Sequence, residues 1–134
     1  MHKNVVHLFL IGIIISFSSC VKKTDSNSVQ LISSDEANAL LAIEEVQLVD
    51  VRSAAEFSTG HIPNSQNIDV LSPSFDSDIK LLDKSKPVMV YCKSGNRSAK
   101  CSKKLQAAGF VKIYDLEGGI SKWKHQGFDI KVKS

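Results

Sequence analysis

The stretch PVMVYCKSGNRSAKCSKKLQAAG, residues 87–109, decides the reading of this chain. Val88 to Tyr91 form an apolar run bounded by a proline, too short for a helix, so they read as a buried strand over 87–91. Cys92-Lys93-Ser94-Gly95-Asn96-Arg97-Ser98 comes next as a short polar loop. Residues 98–108 have helical spacing, Ser98 is placed to cap them, and Gly109 stands where a helix is commonly closed. A strand, a tight loop and a helix start present consecutive backbone N–H groups and the positive end of a helix dipole. Gly95 takes a positive φ freely and Asn96 tolerates one, so the loop can curl into an anion-binding nest. A cysteine at its head should have a depressed pKa. Lys93, Arg97, Lys100, Lys103 and Lys104 lie nearby with no acid among them. That field favours thiolate and attracts anions, although Lys100, Lys103 and Lys104 equally fit a solvated helix face.

Outward from this stretch, strands and helices alternate. Residues 29–32 read as a short strand and 46–51 (VQLVDV) as a buried one. Ser33 with Glu36, and Ser53 with Glu56, are capping boxes that open helices. Residues 62–68 return as a turn with a short strand, 75–82 as a modest helix, 112–116 as a strand and 120–126 as a last short helix around Trp123. This alternation argues for α/β architecture with a mostly parallel sheet. Ligands on such sheets bind outside the carboxyl ends of the strands, which directs attention to the residues just after Asp50 and Tyr91.

The whole chain has 134 residues, 43% of them hydrophobic and 23% charged, with a net charge of +3 and 3 cysteines. That length suits one domain. The composition excludes a disordered or low-complexity chain and a disulfide-stapled mini-protein. So small a charge does not argue for nucleic-acid binding. Cys/His spacing of the metal-binding type is absent, so no metal is expected.

The first residues read as an address. Lys3 precedes an apolar run over 8–17, shorter than the about 20 residues a membrane span needs, and suited to a secretory signal. The run ends in Phe17-Ser18-Ser19-Cys20, which resembles a bacterial lipobox with Phe17 in place of the usual Leu. The resemblance implies a signal peptide over 1–19 and lipidation of Cys20. The polar residues 21–28 would then be a tether, and 29–134 the domain. The expectation is a periplasm-facing lipoprotein of a bacterial cell envelope. Val21, not Asp, stands after Cys20, which inclines the expectation toward the outer membrane.

Three stretches resemble the rhodanese-like family of sulfurtransferases: VDVRSAAEFSTGHIPNSQNI (49–68), VYCKSGNRSAKCSKKLQAAGF (90–110) and YDLEGGISKWKHQG (114–127). The resemblance implies a three-layer α/β fold with a central parallel sheet flanked by helices. It implies that Cys92 attacks a sulfane sulfur donor such as thiosulfate and carries the sulfur as a persulfide to a thiophilic acceptor. Lys93, Ser94, Gly95, Asn96, Arg97 and Ser98 would form the anion-binding loop, with the N–H groups of 93–97 as donors. No organic cofactor is implied. The loop is Cys-x4-Arg, one residue shorter than the Cys-x5-Arg of related phosphatases, which suits a single sulfur atom better than a tetrahedral phosphate. Arg97 could hold the loop or an anionic donor.

Asp50 and Arg52 read as a structural ion pair beside the loop, Glu56 as a helix cap and His61 as a turn residue. The competing reading makes His61 a general base for Cys92, which a low-pKa thiolate does not need. Cys101 aligns with Leu105 and Ala108 and reads as buried, the alternative being a resolving thiol. Trp123 reads as core. Gly118 and Gly119 read as a turn near the loop's mouth, where backbone must approach closely. A second function fits the same loop: a persulfide carrier without turnover, working through a protein partner.

Overall fold

Backbone chemistry at the helix ends sets the frame. In the computed structural model, which describes residues 27–133, both sequence-read capping boxes are formed. The Ser33 hydroxyl accepts the Glu36 N–H at 3.2 Å while the Glu36 carboxylate accepts the Ser33 N–H at 2.8 Å, opening α1, Ser34–Ile43. Ser53 and Glu56 do the same for α2, Ala54–Thr59. Each box satisfies two backbone donors that the first helical turn would otherwise leave unpaired.

Five strands make one sheet: β1 Ser28–Ile32, β2 Gln47–Asp50, β3 Gln66–Asn67, β4 Val88–Tyr91 and β5 Lys112–Leu116. Their order is β1-β5-β4-β2-β3 and every pairing among them is parallel. Parallel sheets need cover on both faces, and two apolar clusters supply it. On one face Val49, Val88, Val90, Ile113 and Cys92 pack with Phe75, Cys101, Leu105 and Phe110. These bring in α3, Phe75–Asp78, and α4, Asn96–Ala107. On the other face Leu48, Met89, Tyr91, Tyr114 and Leu116 meet Ala37 of α1 with Ile120 and Trp123 of α5, Gly119–His125. The result is the helix–sheet–helix layering expected from the alternation of elements.

Several boundaries differ from the sequence reading. α4 starts at Asn96, two residues before Ser98, because Gly95 at φ 116° takes the N-cap position. Ser98 therefore lies inside the first turn, fully buried, and is not the cap. At the other end Gly109, at φ 91°, closes α4 as read. The Gly109 N–H reaches the Gln106 carbonyl at 3.1 Å and the Phe110 N–H reaches Leu105 at 3.2 Å. This is a Schellman closure, with Phe110 and Leu105 both in the core. The weak helix over 75–82 is a four-residue helix continued by a 3-10 turn, Ile79–Leu81.

β1 begins at Ser28, one residue inside the stretch read as tether, and Asn27 is already fixed. Its carbonyl accepts from the Gln106 side chain at 2.8 Å, and its amide donates to the Gln106 carbonyl at 3.3 Å. Cys20 and the signal-like residues before it lie outside the described residues. Among the described residues no helix is long and apolar enough to cross a membrane.

Candidate active site

The site sits where β4 ends. Asp50 on β2 is paired in register with Tyr91 on β4, and the Val51 N–H continues the ladder to the Tyr91 carbonyl at 2.9 Å. The chain leaving β2 therefore runs beside the chain leaving β4. On the opposite flank β5 delivers the turn Gly118-Gly119 against the same loop. Three segments far apart in sequence thus converge on residues 92–98.

Cys92 is 1% exposed. Its sulfur accepts the Gly95 N–H at 3.1 Å, and the Ser98 hydroxyl lies 3.6 Å away. Burial pushes the thiol up in pKa. The Ser98 hydroxyl and the backbone N–H groups of Ser98, Gly95 and Ser94 outweigh burial, and the net direction is downward. The depression expected from sequence is present, but hydrogen bonds rather than the lysines are its main cause. The donors also differ in detail: they come from residues 94, 95 and 98 of the 92–98 curl. Lys93, Ser94 and Asn96 face solvent.

The loop is held from behind. The Ile120 N–H donates to the Cys92 carbonyl at 2.9 Å, and the Ser121 N–H to the Lys93 carbonyl at 3.0 Å. With the carbonyls tied to the start of α5, the N–H groups are free to turn inward. Gly119, at φ 57°, makes this approach possible. A Cβ there would fall on the Cys92 carbonyl oxygen and within 2.6 Å of the Lys93 carbonyl carbon.

Arg97 does not point alone at the loop's mouth. Its guanidinium grips the Glu56 carboxylate through two hydrogen bonds of 2.7 and 2.8 Å. Glu56 thus caps α2 and ties α2 to α4. The Arg97 bonds come first among the causes that hold its carboxyl down at about 2. No spacing rule connects residues 56 and 97, so the sequence reading of Glu56 as a cap was half of its role.

Asp50 and Arg52 form the ion pair expected of them, with Arg52 Nη2 2.7 Å from Asp50 Oδ2 and both side chains buried. Arg52 Nη2 also donates to the Gly60 carbonyl at 2.6 Å, and the Asp50 carboxylate accepts the Arg52 N–H at 3.0 Å. The pair pins the end of α2 to the end of β2.

Two struts escaped the sequence reading. The Tyr91 hydroxyl accepts the Ile62 N–H at 3.0 Å and lies 3.0 Å from the Ser65 hydroxyl. The Asn67 amide donates to the carbonyls of Asp50 and Arg52 at 3.0 and 2.8 Å. A tyrosine ending an apolar strand reads as core, and its polar tip carries no local signal.

His61 is engaged with α2. Its ring stacks on Phe57 with centroids 3.9 Å apart, and Nδ1 lies 3.0 Å from the Phe57 carbonyl. Cys101 is 1% exposed, and burial pushes its thiol up to about 12. Trp123 is buried and donates to the Asp129 carbonyl at 2.9 Å. Lys100, Lys103 and Lys104 are exposed on α4. Among the described residues no cluster of His, Cys, Asp and Glu is arranged to hold a metal ion.

A parallel α/β sheet with a cysteine cradled by backbone N–H groups at a strand end defines the class of protein. Residues 33–126 match the family model described as Rhodanese-like domain, and the chain belongs to the rhodanese-like domain family. It is 34% identical over 96 residues to the thiosulfate sulfurtransferase GlpE of Tolumonas auensis, covering 70% of this chain and 87% of that one. It is 36% identical over 104 residues to a sulfurtransferase of Allochromatium vinosum, covering 76% and 94%. The crystal structure of a rhodanese-related protein from Thermoplasma volcanium superposes with a TM-score of 0.70 at 30% identity, covering 78% of this chain and 99% of that one.

Proposed function

We propose that the protein is a sulfurtransferase that moves a sulfane sulfur from a donor such as thiosulfate to a thiophilic acceptor through a Cys92 persulfide. The observation that carries this reading is the buried Cys92 sulfur held by the Gly95 N–H at 3.1 Å. In the first step the Cys92 thiolate attacks the outer sulfur of thiosulfate. A new sulfur–sulfur bond forms, the old one breaks, and sulfite leaves with the bonding electron pair. In the second step an acceptor, cyanide or a thiolate, attacks the outer sulfur of the persulfide and returns Cys92 as thiolate. This is double-displacement nucleophilic catalysis. The charge on sulfur moves but does not disappear, so preorganised N–H donors serve thiolate and persulfide alike.

The same proposal puts this chemistry on a lipid anchor at Cys20 in a bacterial cell envelope, a reading supported by the lipobox-like sequence before that cysteine. The relatives named as sulfurtransferases support the reaction class, and the Cys-x4-Arg loop length supports sulfur over phosphate.

The test is an intact mass of the full chain after incubation with thiosulfate, repeated with Cys92→Ser. A gain of one sulfur, about 32 Da, that vanishes in the variant supports the persulfide. Retention of the gain in Cys92→Ser overturns it. Thiocyanate release on adding cyanide then separates an enzyme from a persulfide carrier that discharges only to a protein partner.

A further inference from the structure

The chain enters the fold at the end of the sheet opposite the cysteine loop. Asn27 is tied to Gln106 by two hydrogen bonds of 2.8 and 3.3 Å, and β1 starts at the next residue, Ser28. The strands are parallel, with Ser28 in register with Lys112 and Val88 with Ile113. The start of β1 therefore shares an end with the starts of β4 and β5, while Cys92 follows the end of β4. α4 runs between the two ends. It begins at Asn96 in the cysteine loop and closes at Ala107, beside Gln106, a length of about 18 Å at 1.5 Å per residue.

A cationic cavity lies at that entry end. Its volume is 420 Å³, and Lys80, Lys84 and Lys104 line it together with the apolar Ile79, Ala107 and Ala108, with Asp76 as its one acid. Ala107 follows the Gln106 that holds Asn27, and the Val111 N–H donates to the Lys84 carbonyl at 3.1 Å, which brings the turn before β4 against the exit of α4. The Lys104 amine stands 5.0 Å from the centre of the Phe75 ring. All three lysines are exposed, and among the described residues none of them is in an ion pair. Other acids on this side are engaged: Asp78 accepts the Ser74 hydroxyl at 2.7 Å, Asp83 accepts the Ser85 hydroxyl at 2.6 Å, and Glu45 pairs with Lys86 at 3.0 Å. Leu81, next to Lys80, is 86% exposed. Unpaired cations around an apolar hollow, with a bare leucine beside them, suit the boundary of a bilayer, where phosphates overlie acyl chains.

We propose that this end of the domain docks on an anionic phospholipid surface, with Lys80, Lys84 and Lys104 taking headgroup phosphates and Leu81 meeting the acyl boundary. The proposal rests on the reading of Cys20 as a lipid anchor. Seven residue steps separate Cys20 from Asn27, and a chain of that length reaches at most about 25 Å. An acylated Cys20 therefore holds the entry end within that distance of the bilayer. Each lysine close to an anionic surface then adds about fivefold to partitioning. The Cys92 loop, at the far end of α4, faces away from the membrane toward soluble donors and acceptors.

The test is lysine acetylation of the full chain, read by peptide mass, on phosphatidylcholine vesicles with and without about 30% phosphatidylglycerol. On the anionic vesicles Lys80, Lys84 and Lys104 should label at least about threefold more slowly relative to Lys93, and salt at about 0.5 M should erase the difference. Combining Lys80→Gln, Lys84→Gln and Lys104→Gln should remove at least about tenfold of the preference for anionic vesicles. Equal labelling on both kinds of vesicle, or slowing at Lys93 instead, overturns the proposal. The same protection by inorganic phosphate without vesicles also overturns it, by making the cavity a site for a free anion. The intact mass of the protein reports acylation of Cys20 separately. Acylated protein with unprotected lysines overturns the docking and leaves the anchor standing, whereas unacylated protein with protected lysines upholds the docking face and removes the anchor.

Discussion

Arg97 and Glu56 are joined by paired hydrogen bonds of 2.7 and 2.8 Å, so the basic residue that ends the cysteine loop is neutralised by the first turn of α2. Bidentate pairing fixes the guanidinium plane, which holds the start of α4 against α2. The open alternatives for Arg97 are thereby narrowed: in this arrangement it braces the loop.

Glu56→Gln tests that brace. The pair is partly exposed, so its loss should cost about 0.5–1 kcal/mol after solvent screening. Glu56 is held down at about 2 from its ordinary 4.5. A carboxyl with a lowered folded pKa stabilises the fold above the unfolded pKa and loses that contribution as pH falls through the folded one. The stability gap between wild type and Glu56→Gln should therefore be full above about pH 4.5 and close toward about pH 2. Chemical denaturation across that window measures it, and a gap independent of pH would contradict the assignment.

Gly119→Ala should damage the loop without touching the thiol. The added Cβ collides with backbone at Cys92 and Lys93, which cannot yield as a side-chain tip could. The left-handed backbone adds about 1–2 kcal/mol of strain. Sulfur loading of Cys92 should drop by roughly tenfold or more, because small displacements of positioned donors are costly. Wild-type loading in this variant would show that the α5 clamp is dispensable.

Arg52→Ala should be among the most destabilising changes near the site. It leaves the Asp50 carboxylate buried and unpaired and abandons the Gly60 carbonyl. Breaking a buried pair from one side costs about 3–5 kcal/mol. Urea unfolding gives the number. A loss under about 1 kcal/mol would mean that the pair is solvated in solution.

Cys101→Ala separates a core thiol from a resolving one. Burial holds the Cys101 thiol at about 12, so little thiolate is available to attack a Cys92 persulfide. The variant should accept sulfur from thiosulfate as wild type does. Wild type should form no Cys92–Cys101 disulfide under mild oxidation, so the variant should match it there too. Loss of a Cys92–Cys101 disulfide present in wild type would restore the resolving role.

Local chemistry was legible in the sequence wherever one segment sufficed. The strand before Cys92, both capping boxes, the Gly109 closure and the nest-forming residues depend on neighbours within a few positions, and these are read from spacing alone. The alternation of elements was enough for a parallel α/β sheet, and the Asp50–Arg52 pair lies two residues apart. Features made by the meeting of distant segments were not legible. The second role of Glu56 and the Tyr91 and Asn67 struts arise only when β2, β3 and β4 lie side by side and bring α2 against α4. The exchange of Ser98 from cap to buried neighbour of the sulfur turned on Gly95 adopting φ 116°. Sequence determined which residues could make an anion nest around a cysteine, because helix starts and glycine turns are local. Only the tertiary structure decided which charges are spent on one another and which backbone ties the loop from behind, because those depend on distances between segments remote in sequence.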